Sequence, residues 1–558
     1  MPAWLRTVAV AALLVAPLAV RALAAVPGDL DTTFGGGRVI VPFGTEAGAG
    51  GVAVQPDGKV VVAGSSDATP GFAVARLLPN GSPDTSFGGT GVVTTTLGKS
   101  AGSTDVAVQS DGKIVAVGGS NQDFAIVRYL GNGKLDPSFG EGGVVIMPVG
   151  TLGDYATAVA IGPGGLIAVT GTAEVPESGY GAGVAVLRGN GEPEAKFAED
   201  GTTVVTTESS NDDRGEGIAV QGDGRILIAD AANGGAGDGF TVVRLGTDGK
   251  PDASFGGDGI VETPIPGEGE VTGGRSTDVA IQPDGKIVVG GYGLASTGLP
   301  PESVTTFALA RYTAEGELDP SFGTGGIVSS RLGVGDDFGR SVAVAADGRL
   351  ILAGTYDPNP DPLEDDYAPA LLRFNANGGL DTTFGSGGAV LRLLPAGTED
   401  ESLEGMALQA DGRIITTTSE YPTGGPGFAV ASRYIADFEK PNVGPPASPS
   451  NYFSFANYFS FGKLTLNKKA GTAKLTVRVP GAGTLVLSGK TVVKQRVAPK
   501  QAGSPKLLVK AKGKAKRKLN SAGKVKVKVK VAYTPAGGTV RTKTKTIKLV
   551  KRLDGQRR

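Results

Sequence analysis

Asp278-Val-Ala-Ile-Gln-Pro-Asp-Gly-Lys-Ile-Val-Val-Gly290 is the stretch that decides the fold. Two runs of β-branched residues flank Pro283-Asp284-Gly285, which supplies a preset φ followed by the positive-φ position of a tight turn, so the stretch reads as a β-hairpin. Working outward, the same phrase recurs seven times, beginning at Gly51, Asp105, Ala158, Gly217, Asp278, Ser341 and Gly405. Its third residue is always alanine: Ala53, Ala107, Ala160, Ala219, Ala280, Ala343 and Ala407. The neighbours of that alanine are bulky, and in a strand they point to the opposite face. A strict small-versus-large alternation suits a crowded inner strand where sheets converge.

Two further strand signals complete each unit. One is an apolar run, usually led by an aromatic residue, ending at Arg76, Arg128, Arg188, Arg244, Arg311, Arg373 or Arg433. The other is a Gly-Val-Val strand after a turn such as Asn132-Gly-Lys-Leu-Asp-Pro-Ser-Phe-Gly140. Four strands repeated about every 60 residues fit the propeller end of the known repeat periods, whereas a β-helix coil is much shorter. The first Leu-Asp phrase, Leu30 to Gly35, and its strand, Arg38 to Pro42, precede every hairpin. The last arginine strand has no such partner after it. The expectation is an all-β chain: a seven-bladed β-propeller closed by the N-terminal strand, followed by a small Ig-like β-sandwich.

The phrases VAVQPDGK, FALARY and LDPSFG resemble the delta-60 repeat family of bacterial exported proteins over about residues 28 to 436. The resemblance implies a β-propeller and no agreed activity. The third unit departs most, with Gly162-Pro-Gly-Gly165 at the hairpin turn and Pro193-Glu-Ala-Lys-Phe197 for the Leu-Asp phrase.

Four segments are expected: a signal peptide at 1–24, the propeller at 25–436, a Pro-rich linker at 437–450 and a basic β-sandwich module at 451–558. Arg6, the apolar run Val8 to Val20 and Ala22-Leu-Ala24 have the order of a secretory signal. No later run is long and apolar enough for a membrane span. The tail is similar in composition to Lys-rich C-terminal modules of exported actinobacterial proteins. From Pro445 onward it holds 28 Lys and Arg against one acid, Asp554, so a total charge of −1 leaves −28 on the rest of the chain. The expected location is secreted, extracellular or cell-wall associated.

The absences bound the chemistry. There is no histidine or cysteine, and the one tryptophan is Trp4, so serine–histidine triads, thiol nucleophiles and histidine proton shuttles are excluded. Each strand-ending arginine has an acid to match it in the Leu-Asp phrases: Asp31, Asp84, Asp136, Glu194, Asp252, Asp319 and Asp381. They read as one structural pair per unit. The connections that vary between repeats share one side of the disc and bring Asp105, Asp154, Asp213, Asp278, Asp336 and Asp337 toward the channel mouth, a candidate ligand face. Asp357, Asn359 and Asp361, with Glu364 and Asp365 behind them, have the alternating oxygens of a calcium loop, although Pro362 stands where glycine is expected. A solvated acidic loop is the rival reading. Lys524, Lys526, Lys528 and Lys530 alternate with valines and are candidates for polyanion binding, against the plainer role of keeping a sheet soluble.

The function expected from these residues is an exported, non-catalytic binding or scaffold protein. Its partner would be an anionic cell-envelope polymer or a surface protein, with no nucleic acid and no cofactor other than calcium. The alternative is a carboxylate-based polysaccharide hydrolase working at the channel mouth.

Overall fold

The computed structural model describes residues 26–436 and 460–552, apart from segments 45, 67–70, 99–100, 152, 177–178, 208–211, 232–238, 267–272, 297–302, 333–334, 359–366, 396, 480–482, 500–504 and 536–540. The expected signal peptide and linker lie outside these residues. Among those described, no helix is long and apolar enough to cross a membrane.

The quoted stretch is a hairpin. Gly274–Ile281 pairs antiparallel with Ile287–Ser296, with Ala280 opposite Val288, and Gly285 closes the turn at φ +94°. Ser303–Tyr312 and Ile327–Ser330 complete a four-stranded sheet. Sheets of this kind span 47–95, 101–147, 154–205, 215–263, 274–330 and 337–391. The seventh joins Thr398–Leu408, Ile414–Pro422 and Phe428–Tyr434 to Arg38–Ile40, with Val39 opposite Ala431. The innermost strand of each sheet packs on that of the next, and the last packs on the first. The result is a β-propeller fold whose seventh sheet uses the N-terminal strand as its outer edge.

The invariant alanine follows from this convergence. Ala53 packs into the core between the first two sheets against Val106 and Val108, whose side chains reach back from the second inner strand. Val52 and Val54, on the other face of the same strand, belong to the core shared with the seventh sheet and Ala407. Each junction thus meets one small residue with two large ones.

A second device recurs at the outer end of each junction. In the first sheet Arg76 Nε donates to Asp84 at 2.8 Å, Nη2 to Ser86 at 3.0 Å, and Nη1 to the Gly131 carbonyl of the second sheet at 2.6 Å. The guanidinium lies 4.7 Å over the buried Phe87 ring. Lys59, the residue after the hairpin glycine, comes within 3.4 Å of the same aspartate. The arrangement repeats at Arg128, Arg244, Arg311, Arg373 and Arg433, each over its own phenylalanine. In three of these, Arg244, Arg373 and Arg433, Nε contacts the carboxylate at 2.9–3.0 Å as an ion pair without hydrogen-bond alignment. The third sheet is the exception: Arg188 is 45% exposed and its pair with Glu194 is loose at 3.3 Å.

The tail has one core between two sheets. One contains Ser460–Asn467, Thr472–Arg478 and Lys506–Val509. The other is ordered Gln495–Val497, Gly483–Ser488, Lys524–Pro535, Arg541–Val550. A helix, Gly513–Ala522, connects them, ends at Gly523 with φ +65°, and buries Ala515 and Leu519 in the same core. Period-two patterning gives no notice of this helix, because only two apolar residues at i and i+4 mark its inner face.

The contrast between sheets yields a test. Arg311→Ala should cost about 2–3 kcal/mol in denaturant unfolding, because it leaves an inter-sheet carbonyl unanswered and takes one of two cations from the buried Asp319, which keeps Lys286 at 2.7 Å. Arg188→Ala should leave the midpoint unchanged, its pair being solvated.

Candidate functional site

The axis of the ring is lined by the N-terminal halves of the inner strands, on the side of the variable connections. At the level of Asp278 the ring reads Gly51, Asp105, Ala158, Gly217, Asp278, Ser341, Gly405. Asp105 accepts the Val106 N–H at 2.8 Å and, from the next sheet, the Val159 N–H at 2.9 Å. Asp278 does the same with Val279 at 2.8 Å and Val342 at 2.9 Å, and accepts from Ser341 Oγ at 3.1 Å. These two carboxylates therefore staple neighbouring sheets. A glycine precedes each of them for space: a Cβ on Gly51 would stand 2.0 Å from Asp105 Oδ1, and one on Gly217 2.6 Å from Asp278 Cα. Burial pushes the Asp105 carboxyl up to about 7, opposed by its two N–H donors and assisted by the charge of Asp278.

The remaining acids of the expected ligand face hold loops. Asp154 is buried and accepts from Val149 N–H at 2.7 Å and Gly150 N–H at 2.8 Å. Asp213 is buried and accepts from the Thr207 N–H and hydroxyl. Asp336 accepts from both donors of Thr305, and buried Asp337 from Leu332 N–H at 2.7 Å. Of the calcium candidates, Asp357 is buried, and its N–H donates to the Asp336 carbonyl at 2.9 Å. Asn359, Asp361, Glu364 and Asp365 lie outside the described residues. Among those described, no group of three or more acids is placed to hold a metal ion.

The residue three before the invariant alanine is set apart by a β-bulge in the inner strand. In three sheets it is a threonine whose hydroxyl lies between a carbonyl of its own sheet and one of the next. Thr277 reaches Gly290 O at 3.1 Å and Gly339 O at 3.0 Å, and Thr104 and Thr157 act likewise. In the fourth, sixth and seventh sheets this staple is replaced by charge: Glu216, Arg340 and Glu404. Burial raises the Glu216 carboxyl against the pull of Arg275, Arg340 and Arg214. Burial also raises Glu404, against Arg340 and hydrogen bonds with Ser402 and Ser419. Glu404 is densely surrounded yet touches solvent, as a side chain standing in a lumen does. Two residues further toward the rim are Tyr155, Arg214, Arg275 and Phe338. Arg214 pairs with Asp212 at 2.8 Å and lies 5.6 Å over Tyr180. Phe338 meets Tyr292 and Tyr367 edge-on, at 5.0 and 5.7 Å. Reading the sequence for aspartates missed this group; aligning the repeats three and five residues before the alanine exposes it.

In the tail, Lys524, Lys526, Lys528 and Lys530 are all exposed, while Val525, Val527, Val529 and Val531 between them are buried. Exposed Lys548 faces Lys526 across the next strand, on the same side of the sheet.

Comparison with known proteins places the fold. Residues 55–87, 109–139, 221–255, 282–322 and 345–384 match the family described as "Domain of unknown function (DUF5122) beta-propeller". Each match runs from a hairpin turn to the phenylalanine under an arginine, which supports a β-propeller repeat family. No curated protein matches the chain. Among solved structures it is similar to a protein of unknown function from Dyadobacter fermentans, at 14% identity and TM-score 0.35, covering 72% of this chain and 98% of that one. It is also similar to an ulvan lyase bound to a GlcA–Rha3S unit, at 11% identity and TM-score 0.38, covering 71% and 96%. A third is an endo-1,4-β-xylanase from Bacteroides thetaiotaomicron, at 11% and 0.27, covering 50% and 94%. The expectation of a non-catalytic protein is corrected to this extent: the similar solved structures include a polysaccharide lyase and a xylanase.

The carboxyl shifts fix a pH dependence. Burial alone would raise Asp84, Asp136 and Asp381, but serine or threonine donors and paired cations hold all three at about 2. A lowered folded-state value contributes stability above the unfolded value, lost as pH falls through the folded one. Asp105 has the opposite sign: its contribution is complete in acid and lost as pH rises toward 7. The melting temperature should peak near about pH 4–5, fall steeply toward pH 2 and decline gently toward neutrality; a peak at or above neutrality would contradict these environments.

Proposed function

We propose that the chain is an exported adhesion protein: a closed propeller, its seven sheets serving as seven blades, presents its variable-loop face to a ligand, while an Ig-like cationic module holds an anionic envelope polymer. The observation that supports adhesion is the tail sheet. One face is a complete apolar core, and the other presents four lysines at every second residue of one strand with Lys548 beside them. Lysines on one strand face repeat at about 6.6–6.8 Å, a spacing that suits the repeating charges of a linear polyanion. A solubility role needs no such concentration of one sign, which repels itself and raises the free energy of the folded module. A second reading, an enzyme acting on a polysaccharide at the channel mouth, is favoured by Glu216 and Glu404. Both carboxyls are shifted toward the neutral form a general acid requires.

The readings separate experimentally. The quadruple variant K524Q/K526Q/K528Q/K530Q should fold normally and lose most retention on immobilised heparin, and wild-type retention should weaken as salt shortens the screening length from about 10 Å at 0.1 M toward 3 Å at 1 M. Salt-insensitive retention, or retention unchanged in the variant, would leave the lysines a solubility role. Release of new reducing or unsaturated ends from an envelope polysaccharide, abolished by Glu216→Gln, would select the enzymatic reading instead.

A further inference from the structure

The channel mouth carries a site of the opposite polarity to the one its aspartates suggest. Asp105, Asp154, Asp213, Asp278, Asp336 and Asp337 are occupied by backbone or hydroxyl donors. What remains toward the lumen is Arg275, Arg340 and the aromatic side chains, beside Glu216 and Glu404. Arg275 Nε and Nη2 are out of solvent contact and have no acceptor among the described residues. Buried guanidinium N–H groups without acceptors are costly, and native structures satisfy them with a ligand or water. Arg340 is exposed in the lumen, within electrostatic range of both Glu216 and Glu404. It occupies a bulge position that three other sheets spend on a threonine staple, so this sheet gives up a structural contact to place a cation there.

We propose that Arg275 and Arg340 bind the anionic group of an acidic sugar unit at the channel mouth, with Tyr155 and Phe338 at the rim packing against the sugar ring. The planar guanidinium presents paired donors that match carboxylate or sulfate oxygens. Flat aromatic rings meet the C–H face of a pyranose, and Tyr155 is 44% exposed and free to do so. Glu216 and Glu404 flank Arg340 and take hydroxyl groups of the same sugar as hydrogen-bond partners, which sets orientation. A carboxylate and a sulfate ester have the same recognition chemistry here, and the choice between them lies with the ligand. This site is independent of the lysine face of the tail.

The test is calorimetric titration of the full-length chain carrying K524Q/K526Q/K528Q/K530Q, so that the tail face does not contribute. Three probes of equal length serve: an oligoglucuronate, a sulfated oligosaccharide without carboxylates, and a neutral oligoglucose. At least one anionic probe should bind more tightly than the neutral one, and Arg340→Gln should weaken it roughly tenfold or more. Arg340 is exposed and its replacement leaves the sheet intact, so that variant is decisive even if Arg275→Gln misfolds. Equal binding of all three probes, no binding of either anionic one, or an Arg340→Gln protein that binds as the parent does would overturn the proposal.

Discussion

A buried guanidinium that touches three parts of the ring at once is the interaction on which the propeller depends. Taking an arginine out of water is unfavourable unless every donor is answered. Here one nitrogen faces an aspartate of the same unit, a second a serine or threonine, and a third a carbonyl of the following sheet, while the flat face rests on phenylalanine. The cation is thereby satisfied only when two adjacent sheets are docked. The hairpin lysine or arginine adds a second positive charge to the same carboxylate, as Lys113 does at 3.2 Å and Arg225 at 2.8 Å. Geometry and charge therefore tie the outer end of every junction but that of the third sheet, while alanine against larger apolar residues packs the inner end.

The two sides of the disc follow a division of labour. On the hairpin side the same residues recur because they are structural parts of the tie. On the other side the chain spends its polar residues differently from sheet to sheet. Threonine at the bulge and the aspartate after it staple the same junction in the second and fifth sheets, threonine alone does so in the third, and three other sheets carry Glu216, Arg340 or Glu404 at the bulge. Departures from a repeat are most telling where the repeated residue has a physical task, because the departure then has a cost.

Much of the fold was legible because its rules are local and repeated. The period-two runs, the Pro-Asp-Gly turn and the Arg–Asp pairing each follow from short-range chemistry. The early strand Arg38 to Pro42 announced its role by lacking a hairpin before it. The helix Gly513–Ala522 was not legible, since only Ala515 and Leu519 mark its inner face amid a run of exposed lysines. At the mouth, aspartates just before strands suggest a ligand face, yet in the fold they hold backbone and hydroxyl donors. Whether an aspartate points into a lumen or back onto a neighbouring N–H depends on bulge geometry, which residue identity alone does not carry. The arginines and aromatics there were missed because a count by residue type does not distinguish Arg275 from the structural arginines.

The seventh sheet has a consequence in time. Arg433 donates to Thr33 across 400 residues of chain, and Arg38 reaches Glu401 and Glu420 in the same sheet. The other six sheets can each assemble from neighbouring residues as soon as their own segment emerges. The seventh must wait for both ends. A nascent ring is therefore an open arc with two exposed edges, growing one sheet at a time. Because the entropy of closing a loop rises only with the logarithm of its length, this wait delays closure far more than it weakens it. The early strand is carried unpaired through synthesis, and its shortness, three residues after Gly37 with Pro42 two residues past its end, keeps that edge from recruiting a foreign strand meanwhile.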